Sequence, residues 1–520
     1  MKIGLVPLDE RPCNQLFPRM IGDIAGVSVI TPPASALGRG RSPGRYDELA
    51  AWLRQHMGSW DALIISVDQL VHGGLVPSRL THCPEPECLA RLALIKELRQ
   101  RWPEIPIWGF SVIMRIPNYD LAVEEPAYWS HYGTLLFSYS QAVDAASSQA
   151  DPAAVVEKSR LESMVPGDVL RDFLWRRGRN HRVNAAAVDL VAEGYLDELL
   201  LTLDDTSARG LARMERQRLE ERVHALGVSD KVHIHPGADE VACLLVSRVI
   251  LRHFHRQPRY FVRFGSEERA AQVARYEDRP IRDSVERQIR SSGGRLAASP
   301  ADADILLYVN TPRGPQGEAW NQVPSSGIEG QEAEELLGLV RDLKEQQQRG
   351  KIVSVADLAY ANGADMALVQ LLQDHDCVLD LAAYGGWNTA SNALGTVTAQ
   401  ANARWLAVAV LPPDSCRDAA HFQFLLLRFV EDWLYQVVVR TELRARVKNQ
   451  FDLGPELPAA EAYVRGRMAE LTQAFMNRCV LHRDIPGQPG RRIRRWELRN
   501  VRLPWNRAFE IGCEVYVAIG

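Results

Sequence analysis

Two adjacent carboxylates, Asp204 and Asp205, end the apolar run LLLTL of residues 199–203. Two neighbouring carboxylates repel each other, so their presence together suggests that they have a role. A strand end more often has Gly, Asn or Ser. Their Cα atoms are about 3.8 Å apart. The two carboxyl groups of an ordinary retaining glycosidase instead flank the scissile bond, about 5 to 5.5 Å apart. Adjacency argues against that arrangement and leaves two other chemistries open.

In the first chemistry, one carboxyl group is a general acid, and its neighbour orients a substrate N-acetyl group whose oxygen acts as the nucleophile. The like-charged neighbour raises the pKa of the acid, which helps it to stay protonated near neutral pH. In the second chemistry, the acids bind a divalent metal. A hard oxygen site for Mg²⁺ or Mn²⁺ would then use Asp9, Asp68, Asp204, Asp205 and Asp357.

Further polar side chains follow other apolar runs, and the carboxyl ends of parallel strands meet at one face of a sheet. Taken alone, Asp9, Asp68 or Asp239 is explained about as well by capping of the next helix. A polar set spread over six strands favours a shared site instead. We therefore predict Asp204 and Asp205 as catalytic. The predicted substrate-binding residues are Asp9, Arg11, Asp68, Arg115, Asp239, Asn310, Asp357, Tyr384, Trp387 and Asn388.

The segment YGGWN, residues 384–388, favours a sugar over a metal as the ligand. Its two glycines allow a close approach of the backbone, and an aromatic face can stack on a pyranose. A tight turn with a buried Trp is an equally good interpretation of the same residues. Three arginines, Arg11, Arg79 and Arg115, could clamp an anionic substrate, but we expect them to neutralise the acids.

These polar residues follow short apolar runs, and a helical pattern comes after each run. Such runs are typical of strands buried on both faces, and alternation of strand and helix predicts a parallel sheet. Eight runs indicate an α/β fold, a (β/α)₈ TIM-like barrel. Two additional strand-like runs, residues 26–33 and 259–265, leave two doubly wound α/β domains as the alternative.

The predicted domain organisation places the catalytic barrel in residues 1–414. It includes a helical excursion at about 120–185 and leaves room for an α/β insertion at about 256–300. Residues 415–520 are predicted as an appendage of helices and a β-hairpin, because residues 421–447 have one amphipathic helical pattern and the last 25 residues alternate like antiparallel strands.

Composition narrows the class of protein. The 520 residues are 46% hydrophobic and 24% charged with a net charge of −4, which gives no reason to expect nucleic acid as a partner. No apolar run is long enough for a bilayer, and a charged cluster by residue 9 interrupts any signal peptide, so we expect a cytoplasmic protein without a membrane partner. Eight scattered cysteines do not predict disulfides. The sequence leaves a homodimer open.

Six long motifs, in order along the chain, resemble a bacterial family of unknown function. They are VPLDERPCN, SVDQLVHGGLVPSR, DDTSARG, HPGADEVACLLVSR, ADLAYANGAD and AYGGWNTASNALGT. A more distant similarity rests on LLTLDD alone and is to the catalytic barrel of retaining β-N-acetylhexosaminidases, including the O-GlcNAcase-like enzymes. That similarity implies that Asp204 polarises the substrate acetamide and that Asp205 is the general acid.

We therefore predict a glycoside hydrolase of the retaining, acetamido-assisted kind, acting on a small carbohydrate without a metal or other cofactor. One alternative is a hydrolase or lyase that uses Mg²⁺ or Mn²⁺ held by the Asp residues. Another is a non-catalytic protein that binds a sugar or metabolite.

Overall fold

The strands of the first 236 residues form one sheet. The computed structural model describes residues 1–149, 152–322 and 330–520. In this first sheet the strand order is β2-β1-β3-β4-β5-β6, and the pairings that join β1, β3, β4, β5 and β6 are parallel. The strands are β1 (Lys2–Val6), β2 (Ser28–Ile30), β3 (Ala62–Ser66), β4 (Ile107–Ile113), β5 (Glu198–Leu203) and β6 (Val232–Pro236).

A second parallel sheet follows in the chain, with the strand order β13-β11-β9-β7-β8. Strands β10 and β12 pair separately, and β14, β15 and β16 form a small antiparallel sheet. The strands are β7 (Arg259–Phe264), β8 (Arg295–Leu296), β9 (Ile305–Asn310), β10 (Gly317–Glu318), β11 (Ile352–Asp357), β12 (Tyr360–Ala361), β13 (Leu381–Gly385), β14 (Asp484–Ile485), β15 (Gln488–Arg502) and β16 (Gly512–Ile519).

The predicted (β/α)₈ barrel is wrong for the residues that the structure describes, because the eight expected strands are divided between two open sheets. A strand buried on both faces has the same apolar sequence in a barrel and in an open parallel sheet, so periodicity does not distinguish them. When strands are numbered along the chain within each sheet, the first order begins 2-1-3-4-5. The second order, read from β8 to β13, is also 2-1-3-4-5, the order of flavodoxin-like doubly wound sheets. The general α/β class is confirmed.

Seventeen α-helices are defined within the described ranges. They are α1 (Pro12–Ile24), α2 (Tyr46–His56), α3 (Val67–His72), α4 (Leu75–Leu80), α5 (Glu85–Arg101), α6 (Trp129–Gln149), α7 (Pro152–Met164), α8 (Gly167–Ala192), α9 (Leu211–Ala225), α10 (Val241–His253), α11 (Ile281–Ser291), α12 (Gln331–Gln348), α13 (Met366–Asp374), α14 (Ala390–Trp405), α15 (Ser415–Arg428), α16 (Arg440–Arg444) and α17 (Leu457–Cys479). Helices α6, α7 and α8 account for the predicted helical excursion.

The long amphipathic pattern of residues 421–447 is a helix of changing pitch. Helix α15 passes into a π-helix, Phe429–Val439, which passes into α16. A second π-helical segment, Leu406–Val410, follows α14. The alternating C-terminal residues pair as the antiparallel strands β15 and β16, as predicted. π-Helical segments are rare and often occur near functional residues.

Contacts along the chain divide it into two compact units. The first comprises Met1–Glu10, Val29–Ala242 and Tyr276–Asp278, and the second comprises Arg11–Ser28, Cys243–Arg275 and Arg279–Gly520. The core of the first unit packs apolar side chains of β3 and β5 against α5 and α8. No helix within the described ranges combines the length and the apolar character needed to cross a bilayer.

Candidate functional site

The Asp204–Asp205 pair follows β5 in the first unit, and each aspartate is bound to a different arginine. Asp204 Oδ2 accepts a hydrogen bond from Nη2 of Arg79. Asp205 Oδ2 lies 3.1 Å from Nη1 of Arg115. The Oδ1 atoms of both aspartates accept no hydrogen bond from the described residues. One oxygen of each carboxylate is therefore bound to an arginine, and the other can accept a hydrogen bond from a ligand.

Two glutamates complete the same cluster. Glu124 Oε2 lies 3.0 Å from Arg79 Nη1 and 2.7 Å from Arg115 Nη2. Glu125 Oε1 lies 3.2 Å from Arg79 Nη1 and 3.0 Å from Arg115 Nε. We name this set the carboxylate–arginine cluster. Its members are Arg79, Glu124, Glu125, Arg115, Asp204 and Asp205. Four carboxylates thus share two guanidinium groups.

Arg79 is positioned by the two glycines that separate α3 from α4. Gly73 and Gly74 have φ angles of 82° and 131°, values that favour glycine. A Cβ at Gly73 would lie 2.6 Å from the backbone nitrogen of Gly44, so the turn has no room for a side chain. The segment VHGGLVPSR therefore forms a tight turn that places Arg79 on α4, where its side chain is buried.

The end of α4 is held by side chains of α8. Arg179 Nη2 donates to the carbonyl oxygen of Ser78 at 2.6 Å, and Asn180 Nδ2 donates to the same oxygen at 3.0 Å. Arg176 Nη1 donates to the carbonyl oxygen of Leu80 at 2.7 Å. The last carbonyl groups of a helix have no partner within the helix. These bonds satisfy them and fix the helix that carries Arg79.

Other arginines hold the remaining backbone of the cluster. Arg177 Nη1 donates to the carbonyl oxygen of Arg115 at 3.2 Å. Arg41 Nη1 donates to the carbonyl oxygens of Ala122 at 2.7 Å and Glu125 at 3.1 Å. The loop that presents both glutamates is thereby tied from a position more than 80 residues earlier in the chain. Local sequence patterns carry no sign of such a contact.

A local turn brings both aspartates to the arginines. Side chains of successive strand residues point to opposite faces, but Asp205 has a φ of 44°, in the left-handed region. The loop beyond it is pinned at two points. Thr206 N donates to the carbonyl oxygen of Tyr276 at 3.0 Å, and Gly210 N donates to Asp144 Oδ2 at 2.7 Å. This turn explains how two adjacent carboxylates can both reach the arginines of one cluster.

Burial and neighbouring charges shift the pKa values of several members of the cluster. Burial, together with the neighbouring Asp204 carboxylate, raises the pKa of Asp205 to about 6. Burial also raises the pKa of Glu125. Burial alone would lower the pKa of Arg115, but the surrounding anionic groups raise it well above its ordinary value. The Asp205 side chain is 30% exposed and that of Asp204 is 14% exposed, so Asp205 is the more accessible of the two.

Asp68 has contacts of its own in the first unit. Its Oδ2 accepts hydrogen bonds from the backbone nitrogen of Val112 at 2.8 Å and from Ser111 Oγ at 3.3 Å. Burial raises its pKa to about 7. Asp68 therefore links the beginning of α3 to the neighbouring strand β4. Asp9 and Asp239 also belong to the first unit and are buried.

A second polar network lies at the carboxyl ends of β9, β11 and β13 in the second unit. Asp357 Oδ1 accepts from Asn310 Nδ2 at 2.9 Å, and its Oδ2 accepts from Tyr384 Oη at 3.0 Å and from the backbone nitrogen of Asp365 at 2.7 Å. Asp365 caps α13 and pairs with Arg313. Burial raises the pKa of Asp357 to about 7.

The YGGWN segment joins this second network. The Tyr384 ring stacks on Phe429 with 4.2 Å between centroids, and Tyr384 is fully buried. Trp387 is also buried. Asn388 has a φ of 72°, and its Oδ1 accepts from the backbone nitrogen of Thr389 at 2.9 Å. The segment is thus a tight turn, and the buried Trp matches the structural interpretation of its sequence.

The π-helix contributes charged residues that sequence reasoning did not assign. Asp432 Oδ2 accepts from the backbone nitrogen of Gly386 at 2.8 Å, and its Oδ1 lies 3.3 Å from Arg428 Nη1. Arg428 also pairs with Glu431. Burial raises the pKa of Glu431 to about 8 and also raises that of Asp432. Their signal was hidden because these acids occur in an otherwise apolar helical pattern.

The predicted site residues are therefore divided between the two units. The first unit brings Asp204, Asp205 and Arg115 together, and the second brings Asn310, Asp357 and Tyr384 together. Arg79 and Arg115 neutralise acids, as predicted. Among the described residues, no group of three or more His, Cys, Asp or Glu side chains is arranged to hold a metal ion.

Comparison with known proteins identifies a family. A family model described as a protein of unknown function, DUF4127, matches residues 3–514. Because the match covers nearly the whole chain, the chain belongs to this family. The predicted resemblance to a family of unknown function is confirmed. No curated protein matches the chain, so the similarity to hexosaminidases stays a prediction.

Proposed function

We propose that the chain is a glycoside hydrolase in which Asp205 is the general acid and Asp204 orients the substrate. One observation carries this proposal: two adjacent aspartates of one cluster occupy unequal environments. Arg79 binds Asp204, the less exposed of the pair, whereas Asp205 is more exposed and has a raised pKa. Carboxyl groups in unequal environments can divide the roles of acid and charge stabiliser.

Asp205 has the properties that a general acid needs. Its pKa of about 6 leaves roughly a tenth of the molecules protonated at pH 7 and more than half below pH 6. Its Oδ2 is held by Arg115 at 3.1 Å, and its Oδ1 is left for a proton and a leaving-group oxygen. In the first step, Asp205 would donate its proton to that oxygen as the glycosidic bond breaks. In the second step, its carboxylate would take a proton from the attacking water.

Asp204 supports the charge that develops on the substrate. Its Oδ2 is fixed by Arg79, so Oδ1 can accept the N–H of a substrate acetamide. The acetamide oxygen then bonds to the anomeric carbon as the leaving group departs, which forms a cyclic oxazolinium. The Asp204 carboxylate stabilises the positive charge of this intermediate. Water attack at the anomeric carbon restores the acetamide and releases the sugar.

The arginines favour a neutral substrate over an anionic one. All three nitrogens of the Arg115 guanidinium contact carboxylates of the cluster, and both terminal nitrogens of Arg79 do the same. An anion would have to displace these bonds. A neutral sugar needs only the remaining carboxylate oxygens as acceptors, which agrees with an N-acetylhexosaminide.

The proposal is tested with aryl N-acetyl-β-hexosaminides and the matching aryl β-hexosides that lack the acetamide. We expect cleavage of the N-acetyl substrates, with a rate that falls as fluorine atoms on the acetyl group weaken its oxygen as a nucleophile. Absence of turnover of every aryl glycoside would contradict the proposal. Stabilisation by N-acetylhexosamine without turnover would select a binding protein, and activity that is lost with EDTA and restored by Mg²⁺ or Mn²⁺ would select a metal-dependent enzyme.

A further inference from the structure

Four arginines and three aromatic rings alternate in the second unit. Arg444 lies 4.5 Å from the centre of the Trp320 ring, and Arg440 lies 4.8 Å from the same ring. Arg440 also lies 4.9 Å from the Phe509 ring. We name the whole series the arginine–aromatic ladder. In spatial order its members are Arg444, Trp320, Arg440, Phe509, Arg507, Trp505 and Arg11.

The ladder continues beyond Phe509. Arg507 lies 5.0 Å from the Phe509 ring and 4.6 Å from the Trp505 ring, and Arg11 lies 4.5 Å from the Trp505 ring. Trp505 has a φ of 55°. A bulky residue rarely adopts this left-handed conformation, and strain of this kind is concentrated at ligand-binding and catalytic sites. The ladder therefore extends through a strained turn between β15 and β16.

The arginines of the ladder differ in their ionic partners. Glu510 Oε1 lies 2.7 Å from Arg507, and its Oε2 lies 3.9 Å from Arg11. In the described parts of the chain, neither Arg440 nor Arg444 forms an ion pair. Glu318, whose charge also acts on Arg440, is itself paired with Arg275. Counting only residues whose structure is described, the end of the ladder around Trp320 carries excess positive charge.

Two buried N–H donors beside this end have no acceptor among the described residues. They are Nε of Arg440 and Nε1 of Trp387, and both side chains are more than nine-tenths buried. The Trp387 ring centre lies 6.1 Å from that of Phe509, so both donors belong to residues that neighbour the same ring. Unsatisfied buried donors cost free energy, which a ligand with acceptor oxygens would recover.

We propose that the arginine–aromatic ladder binds a small ligand that carries an oxyanion, either a phosphate or a carboxylate group. Guanidinium groups match both oxyanions in charge and geometry. Trp320 and Phe509 are partly exposed, which gives the ligand access to the end that has excess charge. This site lies in the second unit and goes beyond the proposed glycosidase chemistry of the carboxylate–arginine cluster.

Calorimetric titration of the full chain with inorganic phosphate and with acetate tests this proposal, with sodium chloride at matched ionic strength as the reference. Binding of phosphate, of acetate or of both supports it and identifies the oxyanion. A bound oxyanion should also raise Tm as its concentration increases. Heats and Tm values that match those in sodium chloride for both anions would overturn the proposal, because the ladder would then only fasten the C-terminal strands.

Arg444→Gln is the informative variant because Arg444 is only partly buried and has no ion pair in the described parts of the chain. Losing one charge-assisted contact should weaken oxyanion binding by about tenfold or more. Arg446→Gln is the matched control, since Arg446 stacks on Tyr463 at 4.3 Å outside the ladder. Equal affinities of the two variants for the oxyanion would contradict the assignment.

Discussion

Arg115 Nη1 lies 3.1 Å from Asp205 Oδ2 and leaves the second oxygen of that aspartate without a hydrogen bond from the described residues. The guanidinium favours the charged carboxylate, whereas burial and the neighbouring Asp204 oppose it. The opposing effects leave the pKa of Asp205 at about 6, which is above the ordinary range of an aspartate. This balance predicts how the activity responds to pH and to substitution.

The value of kcat/KM should fall as the pH rises through about 6, because the general acid Asp205 acts in its protonated form. Asp204→Asn removes the like charge that raises this pKa, so any residual activity should decline at a lower pH. Rate profiles of the wild type and the variant with an activated aryl N-acetylhexosaminide would measure the displacement. A falling limb that stays at the same pH would contradict the coupling of the two aspartates.

Removal of the Arg79 guanidinium should destabilise the first unit strongly. Arg79→Leu leaves Asp204, Glu124 and Glu125 with one cation fewer, and loss of one partner from a buried ion pair costs about 3–5 kcal/mol. Urea unfolding followed by circular dichroism measures the free energy. Arg54→Leu is the control, because its pair with Glu97 is exposed and should contribute about 1 kcal/mol or less. Similar losses for both variants would contradict the structural importance of the cluster.

Asp68 should make the wild type less stable as the pH rises from about 4 to about 7. Burial raises its pKa in the folded chain to about 7 from an ordinary value of 3.8. Across this window, the unfolded chain loses the Asp68 proton while the folded chain keeps it, which lowers stability by up to about 4 kcal/mol. Asp68→Asn cannot titrate at this position. The difference in unfolding free energy between variant and wild type should therefore change across the window, and a constant difference would contradict a raised pKa.

The elements of the fold were more predictable than their arrangement. The apolar runs near Ile107 and Ile305 do contain strands, because burial on both faces leaves a local signal. Which sheet each strand joins depends on contacts between distant residues. For the same reason, the sequence favoured a barrel where the chain forms two sheets. The change to π-helical pitch at Phe429 was also missed, since an amphipathic pattern indicates only an ordinary helix.

The part of the candidate site that the sequence predicts is the pair of adjacent acids after β5. Asp204 and Asp205 were conspicuous as neighbouring acids, and the structure brings Arg115 to them. Glu124 and Glu125 show the same adjacency but occur in a loop that lacks the strand-end context. Their role depends on long-range contacts with arginines, which no local pattern predicts.

The Tyr384 hydroxyl should stabilise the second unit through its bond to Asp357. Tyr384→Phe keeps the ring against Phe429 but removes a donor to a fully buried carboxylate, which should cost about 1–3 kcal/mol of unfolding free energy. Tyr308→Phe is the control. Its hydroxyl donates to Asp342 at 2.7 Å, but that carboxylate is partly exposed, so water can replace the lost donor. Equal losses would indicate that burial of Asp357 does not determine the effect.

The dependence of rate on the leaving group shows whether Asp205 donates the proton. Wild type and Asp205→Asn are compared on a series of aryl N-acetyl-β-hexosaminides whose phenols differ in pKa. We expect the variant to lose about 10²- to 10⁴-fold in rate with poor leaving groups and far less with good ones, which need little protonation. An equal loss across the series, or a wild type that cleaves none of these substrates, would contradict the assignment of Asp205 as the general acid.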